Sequence, residues 1–271
     1  DISQEKRMKS TLYRYMTPGV AEQVMALGED TMMKGERKDV TVLFSDIRGY
    51  TTLTENLEAD KVVEMLNAYF ETMVEAVFNF EGTLDKFIGD ALMAVFGAPL
   101  PLKNHAWAAI QSALDMRRRL EKFNRDRIET NQPEIRIGIG ISSGEGVSGN
   151  IGSQRKMEYT VIGDGVNLSS RLEGVTKEYG CDIVLSEFTY NLCKDRIWVR
   201  ELDRTQVKGK RNAVNLYELI DHRDNPLDAP TKEFLDIYAQ ARNAYTGMEF
   251  EQAIHLFQQA QRLRPLDKAV A

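Results

Sequence analysis

Two aspartates are the first residues of this chain whose surroundings suggest chemistry. Asp46 ends the run Val40-Thr41-Val42-Leu43-Phe44-Ser45-Asp46-Ile47, and Arg48-Gly49 follows as a turn. Asp90 lies in Lys86-Phe87-Ile88-Gly89-Asp90-Ala91-Leu92-Met93, between two short apolar runs. Short runs of this kind that end in turn residues predict buried strands, so both acids fall where the chain leaves a sheet. Either acid alone suits a turn or a helix cap. As a pair, each beside a glycine that lets a ligand approach the backbone, they can converge on a hard cation, with the Ile47 carbonyl alongside. Mg²⁺ favours one or two carboxylates plus substrate phosphates over an all-protein cage. Two such ions about 3.5–4 Å apart would clamp an in-line displacement at phosphorus.

Three further cations and an amide fit phosphate chemistry. Strand alternation places positions 86, 88 and 90 on one face, so Lys86 points with Asp90, either toward a ligand or into a plain salt bridge. Asn167 and Arg171 share a helix face by their spacing. An arginine fork with a neutral donor beside it can stabilise charge on a phosphoryl group, although such a pair is also common on a helix surface. Arg136 stands in the apolar run Ile135 to Ile141, where a charge needs a partner or a ligand. By contrast, His105, His222 and His255 are scattered, and Ser45, Ser142 and Ser143 have no partner base. No phosphate-binding glycine loop of the Walker type and no dinucleotide fingerprint occurs.

Those residues need a scaffold. The chain has 271 residues, 42% of them hydrophobic and 28% charged, which suits one main domain with appendages. A net charge of −6 argues against a bulk nucleic-acid binder. Cys181 and Cys193 lack metal-ligand spacing and read as reduced thiols of a cytoplasmic protein. No apolar run is long enough to cross a bilayer. The chain starts at Asp1 rather than Met, as a segment excised from something larger would.

The periodicity predicts an N-terminal helical connector over residues 1–36, broken at Thr17-Pro18-Gly19 and serving either an upstream sensor or plain packing. Helices are predicted over about 59–80, 104–130 and 164–177, and Arg117-Arg118-Arg119 reads as a solvated face of the second. Strands surround Asp46 and flank Gly89-Asp90. Ile135 to Ile141 is predicted to be a central strand that turns back in a hairpin at Ser143-Gly144-Glu145-Gly146. Further strands are expected over 157–162, 181–185, 197–206 and 214–220. Helices interleaved with strands and a central hairpin predict an α+β fold, a ferredoxin-like α/β sandwich, over residues 37–221. Residues 222–271 read as a polar linker followed by a helical hairpin that resembles one tetratricopeptide repeat. A single repeat cannot bury its own apolar face, so it must dock on the main domain or continue into further repeats.

Four motifs in order resemble a class III nucleotidyl cyclase catalytic domain. They are Phe44-Ser45-Asp46-Ile47-Arg48-Gly49-Tyr50-Thr51, Lys86-Phe87-Ile88-Gly89-Asp90, Arg136-Ile137-Gly138-Ile139 and Gly163-Asp164-Gly165-Val166-Asn167-Leu168-Ser169-Ser170-Arg171-Leu172-Glu173. The chain is most similar to bacterial cyclases of the soluble-adenylyl-cyclase type. The resemblance implies the class III fold with flanking helices, and a head-to-tail homodimer with its sites at the interface. It assigns Asp46, Asp90 and the Ile47 carbonyl to two Mg²⁺ ions, for which Mn²⁺ can substitute. Lys86 and Thr160 match the base readers, Asn167 the residue that orients the ribose, Arg171 the α-phosphate arginine, and Arg136 and Lys208 the polyphosphate contacts. Many family members carry Asp at the position of Thr160.

Lys86 can donate to adenine N1 and Thr160 can accept from N6, so ATP is expected over GTP. Thr at that position also marks the bicarbonate-responsive subgroup of the family. The resemblance thus implies conversion of ATP to 3′,5′-cyclic AMP and pyrophosphate. The alternatives are a diguanylate cyclase relative and a catalytically inactive nucleotide-binding module. The hairpin Ile88-Gly89-Asp90-Ala91 lacks the sequence of the former, and the residues whose loss marks the latter are all present.

Overall fold

The computed structural model describes residues 9, 11–27, 35–153, 156–206 and 213–270. A short helix α1 (Pro18–Leu27) leads into β1 (Glu36–Ile47), then α2 (Tyr50–Thr54), α3 (Ala59–Phe78), β2 (Thr83–Ile88), β3 (Ala91–Phe96), α4 (His105–Glu129) and β4 (Ile137–Ser153). The chain continues through β5 (Lys156–Ile162), α5 (Asp164–Tyr179), β6 (Ile183–Ser186), α6 (Glu187–Cys193), β7 (Ile197–Gln206) and β8 (Ala213–His222), and then α7 (Ala229–Thr246) and α8 (Phe250–Leu263).

Strands run in the order β2-β3-β1-β4-β6-β8-β7, with β5 paired to β4. The first four, β2-β3-β1-β4, are mutually antiparallel and carry α3 and α4 as their crossovers, which is the ferredoxin-like arrangement expected from the sequence. Alternation along the strands sorts the faces. Leu43, Ala94, Phe96, Ile137, Ile139 and Ile141 join Tyr69, Met73, Ile110 and Ala113 of α3 and α4 in the main core. Val40, Val42, Met93, Val95 and Val161 pack on the opposite side.

Helix α5 also lies on that opposite side, directly on the backbone of β4. A Cβ at Gly138 would overlap Thr176 and Glu173, and one at Gly140 would overlap the backbone of Ser169 and Glu173. These two glycines are therefore the space the helix occupies. Gly180 ends α5 in the left-handed conformation at φ 68°, as a C-terminal glycine cap does.

Four local expectations change. No turn forms at Ser143–Gly146: β4 runs unbroken for 17 residues, and the hairpin partner is β5, reached past Ser153. The small residues there lie within the continuous strand, paired with β1, rather than in a turn. Helix α6 has no counterpart in the sequence reading, though its signal was present: Ser186 caps it by accepting from the Thr189 amide. Within the arginine run, only Arg118 is largely exposed. Arg117 forks onto Asp182 and donates to the Leu219 and Ile220 carbonyls, while Arg119 pairs with Asp115 and Glu75. Arg136 lies just ahead of β4 and is exposed, so its charge is solvated rather than embedded.

The C-terminal hairpin docks on the sheet. Arg200 of β7, nearly buried, pairs with Glu218 of β8 and with Asp267 beyond α8, and stacks on Phe234 and Tyr238 of α7. Lys268 packs over Gly180, and Ala269 joins the cluster around Leu168 and Leu172. Among the described residues no helix is long and apolar enough to cross a membrane.

The glycine contacts make a direct prediction. Gly140→Ala should destabilise the chain by about 1–3 kcal/mol, because helix α5 must lift or the strand must bend to admit one methyl group. Chemical denaturation measures this, and an unchanged midpoint would contradict the close packing.

Candidate active site

The structure gathers the expected residues into two clusters and leaves two residues exposed on a helix between strand ends. In the first cluster, Asp46 is the penultimate residue of β1 and pairs with Gly138 of β4 in register. Even-numbered residues of β1 face the α5 side, so Asp46 points at that helix. Asp90 sits in the two-residue turn between Ile88 and Ala91, where Gly89 takes φ 65°. Because β3 pairs with β1 as far as Ser45–Leu92, this turn lies next to Asp46.

The two carboxyls lie close enough for Asp46 to act on Asp90. Burial, followed by the bond to Asp46 and its charge, pushes the Asp90 carboxyl up to about 6. Two acids that close cannot both ionise comfortably without a cation. Lys177 of α5 supplies part of that charge, with Nζ 3.6 Å from Asp46 Oδ2 and 3.6 Å from Glu173 Oε1. No group of three or more His, Cys, Asp or Glu side chains gathers for a metal among the described residues. Two carboxylates, with the Ile47 carbonyl next in the chain to Asp46, offer only hard oxygens. This donor set fits Mg²⁺ or Mn²⁺.

The second cluster holds the expected base readers. Thr160 of β5 donates to Asp85 Oδ2 at 2.7 Å, and Lys86 reaches Glu158 Oε2 at 2.8 Å and Asp85 Oδ1 at 3.5 Å. Lys86 thus pairs with β5 and its own neighbour rather than with Asp90. The pairing of β2 with β3 slips between Leu84 and Lys86. Such a bulge lets adjacent residues 85 and 86 both reach β5, which strict alternation forbids.

Asn167 and Arg171 lie on the exposed side of α5, while Leu168, Leu172 and Glu173 are buried beneath. Neither side chain forms an ion pair with another described residue. Arg136 is exposed as well, and Lys208 lies outside the described residues. The sequence reading missed Lys177, Glu173, Asp85 and Glu158. The i, i+4 spacing of Glu173 and Lys177 was the available signal for the first two. Nothing local reveals the contacts of Asp85 with Thr160 or of Glu158 with Lys86, because these partners are more than seventy residues apart in sequence. Among the histidines, His105 bonds Thr41 and His222 packs at a tilt against Trp107, so both serve packing.

Paired acids at the ends of β1 and β2-β3, with an Asn-Arg face on the helix after β5, define a nucleotidyl cyclase catalytic domain. Residues 32–221 match the adenylate and guanylate cyclase catalytic domain family, and the chain belongs to that family. It is 38% identical over 184 residues to adenylate cyclase 1 of Rhizobium meliloti, covering 68% of this chain and 28% of that protein. An adenylate cyclase of Anabaena cylindrica is 40% identical over 187 residues, covering 66% and 36% respectively. The crystal structure of the adenylyl cyclase CyaB from P. aeruginosa superposes with a TM-score of 0.65 at 36% identity, covering 70% of this chain and 97% of that one. The chain spans about a third of the length of these two curated relatives.

The Asp90 carboxyl gives a signed prediction for the metal-free protein. Its folded-state value is raised, so the folded chain holds the proton more tightly than the unfolded chain does. Stability then falls as pH rises from the ordinary carboxylate range through about 6, and stays low above it. In chelator at pH 7.5, Asp90→Asn should therefore raise the melting temperature, and the gain should shrink at pH 5, where wild-type Asp90 is already protonated. Equal gains at both pH values would remove the assignment.

Proposed function

We propose that this chain is an adenylate cyclase unit that converts ATP to 3′,5′-cyclic AMP and pyrophosphate at two symmetric sites formed by a head-to-tail homodimer. The contact between Asp46 and Asp90 carries the reading, because it creates a concentrated negative site at two strand ends that a divalent cation would relieve. Asp46, Asp90 and the Ile47 carbonyl would hold two Mg²⁺ ions. When bound, the ions supply Lewis-acid activation of the ribose 3′ hydroxyl and charge neutralisation on the triphosphate.

The other residues bind and orient. Lys86 donates to adenine N1 and Thr160 accepts from N6. Asn167 orients the ribose. The 3′ oxygen attacks the α-phosphorus in line, and the bond to the bridging oxygen breaks with its electron pair leaving as pyrophosphate. Arg171 takes up charge at the five-coordinate centre, while Arg136 and Lys208 hold the leaving phosphates. The 3′ proton passes to water, Asp46 or the substrate.

The exposure of Asn167 and Arg171 supports completion of the site by a second copy. So do Phe87, Ile88, Met157 and Ile162, large apolar side chains left exposed on β2 and β5 near the base readers. Thr160 further supports stimulation by bicarbonate as the activating ligand. A flat response to bicarbonate at fixed pH and ionic strength would remove that part.

Incubation with ATP and Mn²⁺ should release pyrophosphate and cyclic AMP. Asp90→Ala should abolish turnover, and Arg171→Ala should lower kcat by about 10²–10³ while changing KM less. Mixing these two variants should restore about a quarter of wild-type activity, since half of randomly paired dimers carry one intact site. Full activity in Asp90→Ala would refute the metal role, and no restoration on mixing would refute the shared site.

A further inference from the structure

Threonine is an ambiguous base reader. Its hydroxyl can donate one hydrogen bond and accept others, so by itself it suits the N6 amino group of adenine and the O6 carbonyl of guanine equally. The structure removes that ambiguity. The Thr160 hydroxyl donates to Asp85 Oδ2 at 2.7 Å. The Asp85 side chain is 3% exposed, and burial raises its carboxyl above the ordinary value; the Thr160 hydroxyl, the Lys86 ammonium 3.5 Å from its other oxygen and the Val161 backbone oppose that shift and favour the carboxylate that the geometry calls for. A carboxylate only accepts, so the single Thr160 proton is committed inward.

We propose that Asp85 is a specificity-determining residue: by holding the Thr160 proton, it leaves only the lone pairs of that hydroxyl facing the base, and so selects adenine over guanine. This rests on the base-reading roles of Lys86 and Thr160 given above. Adenine offers a donor at N6 to meet those lone pairs and an acceptor at N1 to meet Lys86. Guanine offers O6 to the lone pairs and a protonated N1 to the lysine, so two donor–acceptor matches become mismatches. The same carboxylate contacts both readers, which places the threonine oxygen of β5 and the lysine ammonium of β2 in one rigid group. The β2 bulge makes this possible by turning residues 85 and 86 to the same strand. Asp85 acts through Thr160, so it is a positioning residue rather than a catalytic one.

The test is the ratio of kcat/KM for ATP to that for GTP, measured on one preparation with Mn²⁺ so that the active fraction cancels. Asp85→Asn keeps the shape but can donate to the Thr160 oxygen, which frees the hydroxyl proton to turn toward guanine O6. The ratio should fall by about tenfold or more, with GTP use rising or holding while ATP use drops. Thr160→Val, which removes the hydroxyl from the other side, should also lower the ratio, and in that background Asp85→Asn should have no further effect on it. An unchanged ratio in Asp85→Asn, even with both rates reduced together, overturns the inference while leaving the cyclase reading intact. So does an equal effect of Asp85→Asn with and without the Thr160 hydroxyl. A wild-type chain that makes neither cyclic nucleotide overturns both readings.

Discussion

Helix α5 rests on bare backbone. At Gly138 and Gly140 the central strand β4 has no side chains, and the helix settles into that space closely enough that a single methyl group at either position would collide with it. This closeness sets the positions of groups contributed from one end of the helix to the other. Its buried side anchors on Leu168 and Leu172, and its outer side presents Asn167 and Arg171. Its C-terminal half brings Lys177, paired with Glu173, to Asp46, which stands opposite Gly138 in the neighbouring strand. Arg48 then donates to the carbonyls of Thr176 and Cys181, tying the turn after Asp46 to the helix end. The acid at the strand end and the helix above it are thus located by one packing event.

Charge is distributed to match. The acids that face each other at Asp46 and Asp90 are relieved within the chain only partly, by one half-exposed lysine. The guanidinium of Arg171 has no acidic partner among the described residues. The chain thus leaves an excess of negative charge in one cleft and, among the described residues, a cation without an acidic partner on an outer helix face. The residues proposed as base readers behave differently: Lys86 and Thr160 are already engaged by Glu158 and Asp85, which fixes their orientations.

Much of this was legible in the sequence. Strand-end acids follow from apolar periodicity and turn residues, and Asn167 with Arg171 from helical spacing; Gly180 marked the end of α5 as a glycine cap should. What was not legible depended on long-range pairing. Alternation put Lys86 beside Asp90, but Asp90 sits in the turn beyond the end of β2, and Lys86 reaches Glu158 of β5 instead. The apolar neighbours of Arg136 suggested burial, yet the strand begins one residue later. Ser143 to Gly146 has turn composition, but its backbone is held extended by pairing with β1, and β5 takes over on the other side only from Val147. Arg117 looked solvated because Asp182 and the carbonyls of β8 are more than sixty residues away in the chain.

The family match ends at residue 221, but the molecule does not come apart there. Arg200, inside the matched span, has one acid from β8 and a second from Asp267, and aromatic rings of α7 cover its guanidinium. Trimming the polypeptide to the recognised catalytic segment would strip that cover, wet the cluster beneath Leu172 and Val214, and free the end of the helix that Lys268 caps. A shortened version would be a different folding problem from the whole, and its kinetics would describe a loosened molecule.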